Sequence, residues 1–270
     1  MSQILFATGA VAAIGLILAV ILTLADRFMG IKVDEKEARI RECLPGANCG
    51  MCGYSGCDGY AKALAEGKGV KPNLCRPGGQ TATEKIAAIL GVKADYVEPM
   101  VAFVHCNGDC NKNGKKATYA GLSTCAGAKM LYGGEGACVY GCLGFGDCQT
   151  ACNYHAICIE NGIAHIDGRA CVGCGACAAV CPNKVISIIP KLSVPAVACS
   201  NHEKGAVTRK ECSGGCIGCM KCQKNCPVGA ITVVNNCAQI DYTKCTRCRQ
   251  CVELCPVGCL RMINTKLTKN

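Results

Sequence analysis

Tryptophan is absent from this chain of 270 residues, aromatic residues make up only 4%, and histidine occurs four times. An ordinary packed core is therefore poorly supplied. There is no G-x-G-x-x-G after a strand pattern, no P-loop and no nucleophile elbow, so dinucleotide binding and serine-type hydrolysis by this chain are excluded. His105, His155, His165 and His202 stand singly and read as structural or exposed imidazoles. No catalytic residue is expected.

What is abundant is cysteine: 29 residues, above 10% of the chain. Shifted by 74 residues against itself without a gap, the chain lays Cys125, Cys138, Cys142, Cys148, Cys152, Cys171, Cys174, Cys177 and Cys181 on Cys199, Cys212, Cys216, Cys222, Cys226, Cys245, Cys248, Cys251 and Cys255. This is a tandem duplication. The second half of each copy reads C-x2-C-x2-C-x3-C-P, a run in which three thiolates hold one [4Fe-4S] cube and the fourth reaches the neighbouring cube. Disulfides suit neither an odd count nor four cysteines within eleven residues. Structural zinc usually draws on two separated pairs of ligands.

Applied here, that crossing gives Cys138, Cys142, Cys148 with Cys181, and Cys171, Cys174, Cys177 with Cys152. The second copy gives Cys216, Cys219, Cys222 with Cys255, and Cys245, Cys248, Cys251 with Cys226. Phe145 occupies the place of Cys219, so the first copy draws on Cys138, leaving its counterpart Cys212 spare. A sixth cube is expected on Cys106, Cys125, Cys199 and Cys212, with Cys110 as substitute. Cys158, Cys237 and Cys259 read as small buried hydrophobes or free thiols.

Upstream, C-x2-C-x4-C-x17-C places Cys49, Cys52, Cys57 and Cys75 around a further cube, with Gly50, Gly53 and Gly56 letting the backbone turn its N–H groups toward it; zinc fits that spacing as well. Cys43 is a surplus thiol. Gln80 to Gly91 predicts a helix, Val97 to Val104 a strand, and Ile157 to Ile166 (with Asn161-Gly162) and Ile231 to Ile240 two hairpins. The fold class is α+β, in small domains stabilised by iron–sulfur clusters: a transmembrane helix at 1–25, a juxtamembrane linker at 26–42, a four-cysteine domain at 43–96, and ferredoxin-like repeats at 97–190 and 191–270.

Ile4 to Ala25 runs 22 residues without a charge, enough to cross a hydrocarbon core of about 30 Å. Arg27, Lys32, Lys36, Arg39 and Arg41 follow it, which predicts a single pass in the cell (inner) membrane, the N-terminus outside and the cluster domains in the reducing cytoplasm. The formal charge of +10 does not point to nucleic acid, since five or six cubes at about −2 each cancel it. Residues 191–270 nevertheless hold twelve Lys and Arg against four Asp and Glu, a surface that attracts an acidic partner.

An uncharged N-terminal helix, then L-P-G-A-N-C-G-M-C-G-Y-S-G-C, then ferredoxin motifs resembles the B subunit of the Rnf complex, a membrane-bound ferredoxin:NAD oxidoreductase. The resemblance covers nearly the whole chain and is most specific at Cys49, Cys52, Cys57 and Cys75. It implies a subunit of an ion-pumping translocase that accepts electrons from soluble ferredoxin and relays them through clusters, with flavin and NAD sites on other subunits. Shorter family members carry one ferredoxin pair where this chain has two. Ferredoxin is expected to dock around Lys221, Lys224, Arg247 and Arg249. Alternatives are the same machinery run in reverse, a polyferredoxin relay of a membrane hydrogenase or of a redox-sensor-reducing system, and a zinc-stapled scaffold.

Overall fold

The computed structural model describes residues 2–29, 34–67, 69–192 and 194–263 and, within the first helix, the side chains of Phe6, Gly9 and 12–24. Part of the expected linker (30–33) and the tail of the second repeat (264–270) lie outside the described residues.

Helix α1, Ser2–Met29, is continuous over 28 residues. All its described side chains are exposed, among them Phe6, Ile14, Leu16, Ile17, Leu18 and Leu22. The expected single transmembrane crossing is not borne out: among the described residues no helix is long and apolar enough to cross a membrane.

The four-cysteine domain has a conventional core. Asp34 caps α2 (Glu35–Glu42) by accepting from the Lys36 N–H at 2.9 Å. Helix α3 (Cys57–Ala65) and helix α4 (Gly79–Leu90) close on it, and Ile40, Leu44, Tyr60, Ala61, Leu64 and Ile86 are buried together with Cys57 and Cys75. The Tyr60 hydroxyl donates to the Lys71 carbonyl at 2.7 Å and accepts from Leu74 N at 3.2 Å, tying down the loop that brings in Cys75. Gly91 ends α4 in the left-handed conformation, as the sequence predicts.

The first repeat runs β1 (Met100–Val104), α5 (Cys125–Met130), α6 (Asp147–Thr150), β2 (Ile157–Glu160), β3 (Ile163–Ile166), α7 (Ala176–Val180) and β4 (Ile186–Pro190). The second runs β5 (Pro195–Val197), α8 (Gly205–Glu211), α9 (Lys221–Lys224), β6 (Ile231–Val234), β7 (Cys237–Ile240), α10 (Gln250–Glu253) and β8 (Leu260–Met262). Both predicted hairpins form, with Ile157 opposite Ile166 and Ile231 opposite Ile240. Their two-residue turns have φ of 50° and 76° at Asn161 and Gly162, and 48° and 62° at Asn235 and Asn236, the double left-handed turn that matches strand twist.

Each repeat is clasped by its ends: β1 pairs antiparallel with β4, and β5 with β8. This clasp reveals the true repeat boundary. Val104 faces Ile186 and Val197 faces Leu260. The closing strands are therefore 74 residues apart and the opening strands 93 apart. The first copy thus carries 19 extra residues between Cys106 and Cys138. Apolar side chains join the repeats, with Val101, Phe103 and Ile189 against Val194, Ala196, Ala198 and Ile263. Inside the second repeat, six of ten buried core residues are cysteines, so its centre is mostly sulfur.

Candidate cluster-binding sites

All 29 cysteines are free thiols. The motif loops share one backbone device, a pair of left-handed residues two apart: Gly144 and Gly146, Gly173 and Gly175, Gly218 and Met220, Arg247 and Arg249. At Gly144 it is obligatory. A Cβ there would sit 2.5 Å from the Gly162 carbonyl oxygen, so the cysteine loop is pressed onto the hairpin turn. Turned this way, backbone N–H groups reach sulfur. Ala156 and Ala230, equivalent in the two repeats, donate to Cys152 and Cys226 at 3.4 and 3.3 Å, and Ala102 donates to Cys171 at 3.4 Å. Such bonds favour thiolate and tune a metal centre.

The electrostatic neighbours of each thiol show which are brought together. Burial pushes Cys75 up to about 11, and Cys57, Cys49 and Cys52 push the same way. Burial likewise raises Cys177 to about 12, with Cys171, Cys174 and Cys152 around it. Cys222 rises to about 11 through burial, beside Cys216, Cys219 and Cys255. Cys251 does the same beside Cys245 and Cys248, with Cys222 as its neighbour in the next group. Thiols kept protonated by burial must lose their protons to iron, so loading is coupled to proton release.

In the first repeat the structure redraws the expected sets. Cys148 is raised to about 11 by burial and has Cys125 and Cys181 beside it, along with Cys177. Asp147 brings Cys125 there by accepting from the N–H groups of Cys125 (2.9 Å) and Ala126 (3.1 Å) at the start of α5. Cys138, expected in that set, instead has Cys106, Cys199 and Cys212 as neighbours. The fold thus sets Cys125 beside Cys148 and Cys138 beside Cys106, Cys199 and Cys212. The cause is the 19-residue insertion, which carries Cys125 and makes its ungapped match to Cys199 accidental. Cys110 and Cys158 are exposed and join no set.

Two cavities show how the thiols are arranged. One is lined by Cys216, Cys219, Cys222, Cys255 and Cys259 among apolar residues. Another, between the repeats, is lined by Cys106, Cys138, Cys199 and Cys212. Among the described residues no three Cys, His, Asp or Glu side chains converge to single-ion distance; the thiols stand around a volume. A [4Fe-4S] cube, which occupies a volume and binds a thiolate at each iron, fits that donor set.

Two cysteines absent from the expected ligands also act on the sites. Cys259 is buried with its sulfur 3.6 Å from that of Cys255, and its thiol draws Cys255 down to about 5. The Cys237 thiol donates to the Cys199 carbonyl at 3.3 Å and lies against the Cys199 and Cys216 sulfurs, whose pKa values it lowers. Their counterparts in the first repeat are Val185 and Ile163, so only the second repeat has these sulfur-to-sulfur donors. Cys259→Val should lower the midpoint potential of the Cys255-bound centre by about 20–60 mV, the one-electron equivalent of one hydrogen bond of about 0.5–1.5 kcal/mol. Potentiometric EPR titration measures it.

Comparison with known proteins agrees with this geometry. The family model for an Fe-S cluster matches residues 44–77, and that for a 4Fe-4S binding domain matches 164–187 and 238–261. The chain is 38% identical, over 91% of its length and 74% of the relative's, to the B subunit of the Na(+)-translocating ferredoxin:NAD(+) oxidoreductase complex of Acetobacterium woodii. It is 39% identical, over 86% and 82%, to the B subunit of the proton-translocating ferredoxin:NAD(+) oxidoreductase complex of Clostridium ljungdahlii. To the B subunit of the ion-translocating oxidoreductase complex of Methanosarcina acetivorans it is 38% identical over 91% and 94%. With its four-cysteine domain, its duplicated cluster loops and relatives matched over most of their length, this chain belongs to the B subunits of the Rnf-type ion-translocating ferredoxin:NAD oxidoreductase complexes.

Proposed function

We propose that this chain is the electron-transfer subunit of a membrane-bound ferredoxin:NAD oxidoreductase. It accepts electrons from soluble reduced ferredoxin at its second repeat and passes them toward flavin- and NAD-binding subunits held at the membrane. The observation that carries this reading is the contiguity of the thiol sets. Cys222 adjoins Cys251, Cys148 adjoins Cys177, and Cys174 adjoins Cys49, so the sets of each repeat abut and the first repeat abuts the four-cysteine domain. The residues that would hold five cubes are Cys49, Cys52, Cys57, Cys75; Cys125, Cys142, Cys148, Cys181; Cys152, Cys171, Cys174, Cys177; Cys216, Cys219, Cys222, Cys255; and Cys226, Cys245, Cys248, Cys251. When bound, each [4Fe-4S] cube supplies a one-electron centre.

The chain's own residues do the rest. Buried aliphatics such as Ile157, Val185 and Leu260 exclude water from the sets. At the junction with the four-cysteine domain, Met51 packs on Gly175, and Tyr154 lies near both Cys174 and Cys49. At the other end Cys219 and Cys248 are exposed, where an external partner can approach. Helix α1, with its described apolar side chains exposed, holds the chain at the membrane.

One experiment tests both halves. Anaerobically prepared chain mixed with reduced ferredoxin and then separated from it should have lost visible iron–sulfur absorbance, while the recovered ferredoxin has regained its own. A chain lacking residues 1–33 should do the same while leaving the membrane fraction. Absorbance unchanged by reduced ferredoxin would overturn the electron-transfer reading; a truncated chain that stays with membranes would overturn the anchor.

A further inference from the structure

We propose that the cavity between the repeats is an additional [4Fe-4S] site, held by Cys106 and Cys138 from the first repeat and Cys199 and Cys212 from the second. Cys125, in turn, serves the Cys142, Cys148, Cys181 set in place of Phe145. The proposal rests on the reading of the chain as a cluster-bearing electron carrier and deepens it.

The four thiols are related by the repeat. Cys106 follows β1 and Cys199 follows β5, and each sulfur accepts the N–H of the first motif cysteine of its own repeat, Cys142 at 3.3 Å and Cys216 at 3.1 Å. Cys138 and Cys212 each lie four residues before those motif cysteines. The four thiols are thus two equivalent pairs facing one another across the repeat interface. Spare thiols have no reason to be duplicated in matching places around a shared cavity.

Lining and polarity agree with this. The cavity is ringed by Cys106, Cys138, Cys199 and Cys212 as the other is ringed by Cys216, Cys219, Cys222 and Cys255. Glycines keep it open: a Cβ on Gly108 would lie 3.1 Å from the Cys212 sulfur. Asn201, 1% exposed, donates through its side chain to Cys138 Sγ and through its backbone to Cys199 Sγ, both at 3.4 Å. Backbone N–H groups of Gly108 and Gly214 serve Cys106 and Cys212. A buried amide aimed at sulfur is a donor for a thiolate.

Charge favours the site as well. Arg261 lies over the Phe103 ring, 5.4 Å from its centroid, and no carboxylate bridges it among the described residues. It is held beside Cys106, whereas Lys112, beside Cys212, is paired with Asp109 at 2.6 Å. The Arg261 cation offsets part of the charge of about −2 that a cube would carry. The site also lies between the Cys142 and Cys216 sets, so it joins the two repeats into one series.

The assignment of Cys125 follows from the insertion that carries it. Tyr119, in the insertion, packs edge-on to Phe145 with centroids 5.3 Å apart, and the same insertion delivers Cys125 beside Cys148. The chain supplies from the insertion the ligand that the second repeat supplies as Cys219.

The test counts iron and acid-labile sulfide per full-length chain and measures native mass after anaerobic preparation. Six cubes give about 24 iron atoms and five give about 20. Cys138→Ala, Cys199→Ala and Cys125→Ala should each lose about one sixth of the iron, and adding Phe145→Cys should restore it only in Cys125→Ala. About 20 iron atoms in the unaltered chain, or restoration of Cys138→Ala by Phe145→Cys, overturns the proposal while leaving the electron-carrier reading intact. A chain without iron overturns both. The native mass of the unaltered chain decides the count even where a variant does not fold.

Discussion

Stripping iron from the anaerobically prepared chain should unfold both repeats while the four-cysteine domain keeps part of its helix. The core of the second repeat gathers six buried cysteines with Val197, Ile231, Ala238 and Leu260. Its clasp, β5 with β8, is three residue pairs long. A two-stranded ribbon is marginal in water by itself, so the bonds from iron to thiolate carry the folding free energy, as they do in small metal-held domains. Emptied, the site brings buried thiols together without their partner, and the left-handed residues of the cysteine loops have nothing to hold them in place. Residues 34–91 differ: Ile40, Tyr60, Leu64 and Ile86 are essentially fully buried and interlocked by three helices. Hydrogen exchange after chelation should therefore show protection lost at 100–104, 186–190, 195–197, 231–240 and 260–262. Some protection should remain in α3 and α4. Retained protection in both hairpins, or a cooperative thermal transition unchanged by chelation, would contradict the account.

Much of this architecture is legible in the sequence because local chemistry dictates it. Asn161-Gly162 specifies a tight turn, Gly91 a helix end, and the spacing of Cys49, Cys52, Cys57 and Cys75 a single site. In the second repeat, whose motif cysteines are complete, the fold brings Cys216, Cys219 and Cys255 to Cys222 and Cys245 and Cys248 to Cys251. The first repeat misleads where an insertion intervenes. An ungapped shift lays Cys125 on Cys199, whereas the strands lay Cys106 on Cys199 through Val104-His105-Cys106 and Val197-Ala198-Cys199. That three-residue resemblance is too short to outweigh nine aligned cysteines. Pairing of β1 with β4 is a contact across more than eighty residues, and no local pattern encodes it. Phe145 is the available clue: a missing ligand demands a substitute, but only the fold shows that Asp147 anchors Cys125 rather than Cys138 beside Cys148.

Replacing Lys221, Lys224 and Arg249 together with Glu should slow reduction by ferredoxin about 10- to 1000-fold at low ionic strength, with most of the difference gone in high salt. These side chains surround the exposed Cys219 and Cys248, and all three residues are exposed. Arg247, expected in the same face, belongs elsewhere: its guanidinium pairs with Glu98 at 3.5 Å, linking the last motif loop to the segment before β1. Arg247→Ala should therefore leave the rate within a few-fold of its original value and cost at most about 1 kcal/mol of stability, as exposed ion pairs do. Met220, Val228 and Leu254, each 40–44% exposed, add an apolar surface beside the cations, so an acidic partner steered in by charge finds a patch on which to settle. Stopped-flow mixing across a salt series separates the two contributions: charge reversal lowers the second-order rate and flattens its salt dependence, whereas Met220→Ser raises the concentration needed for saturation without changing the slope. A charge-reversed variant whose rate and salt dependence match the original would place the docking surface away from the second repeat.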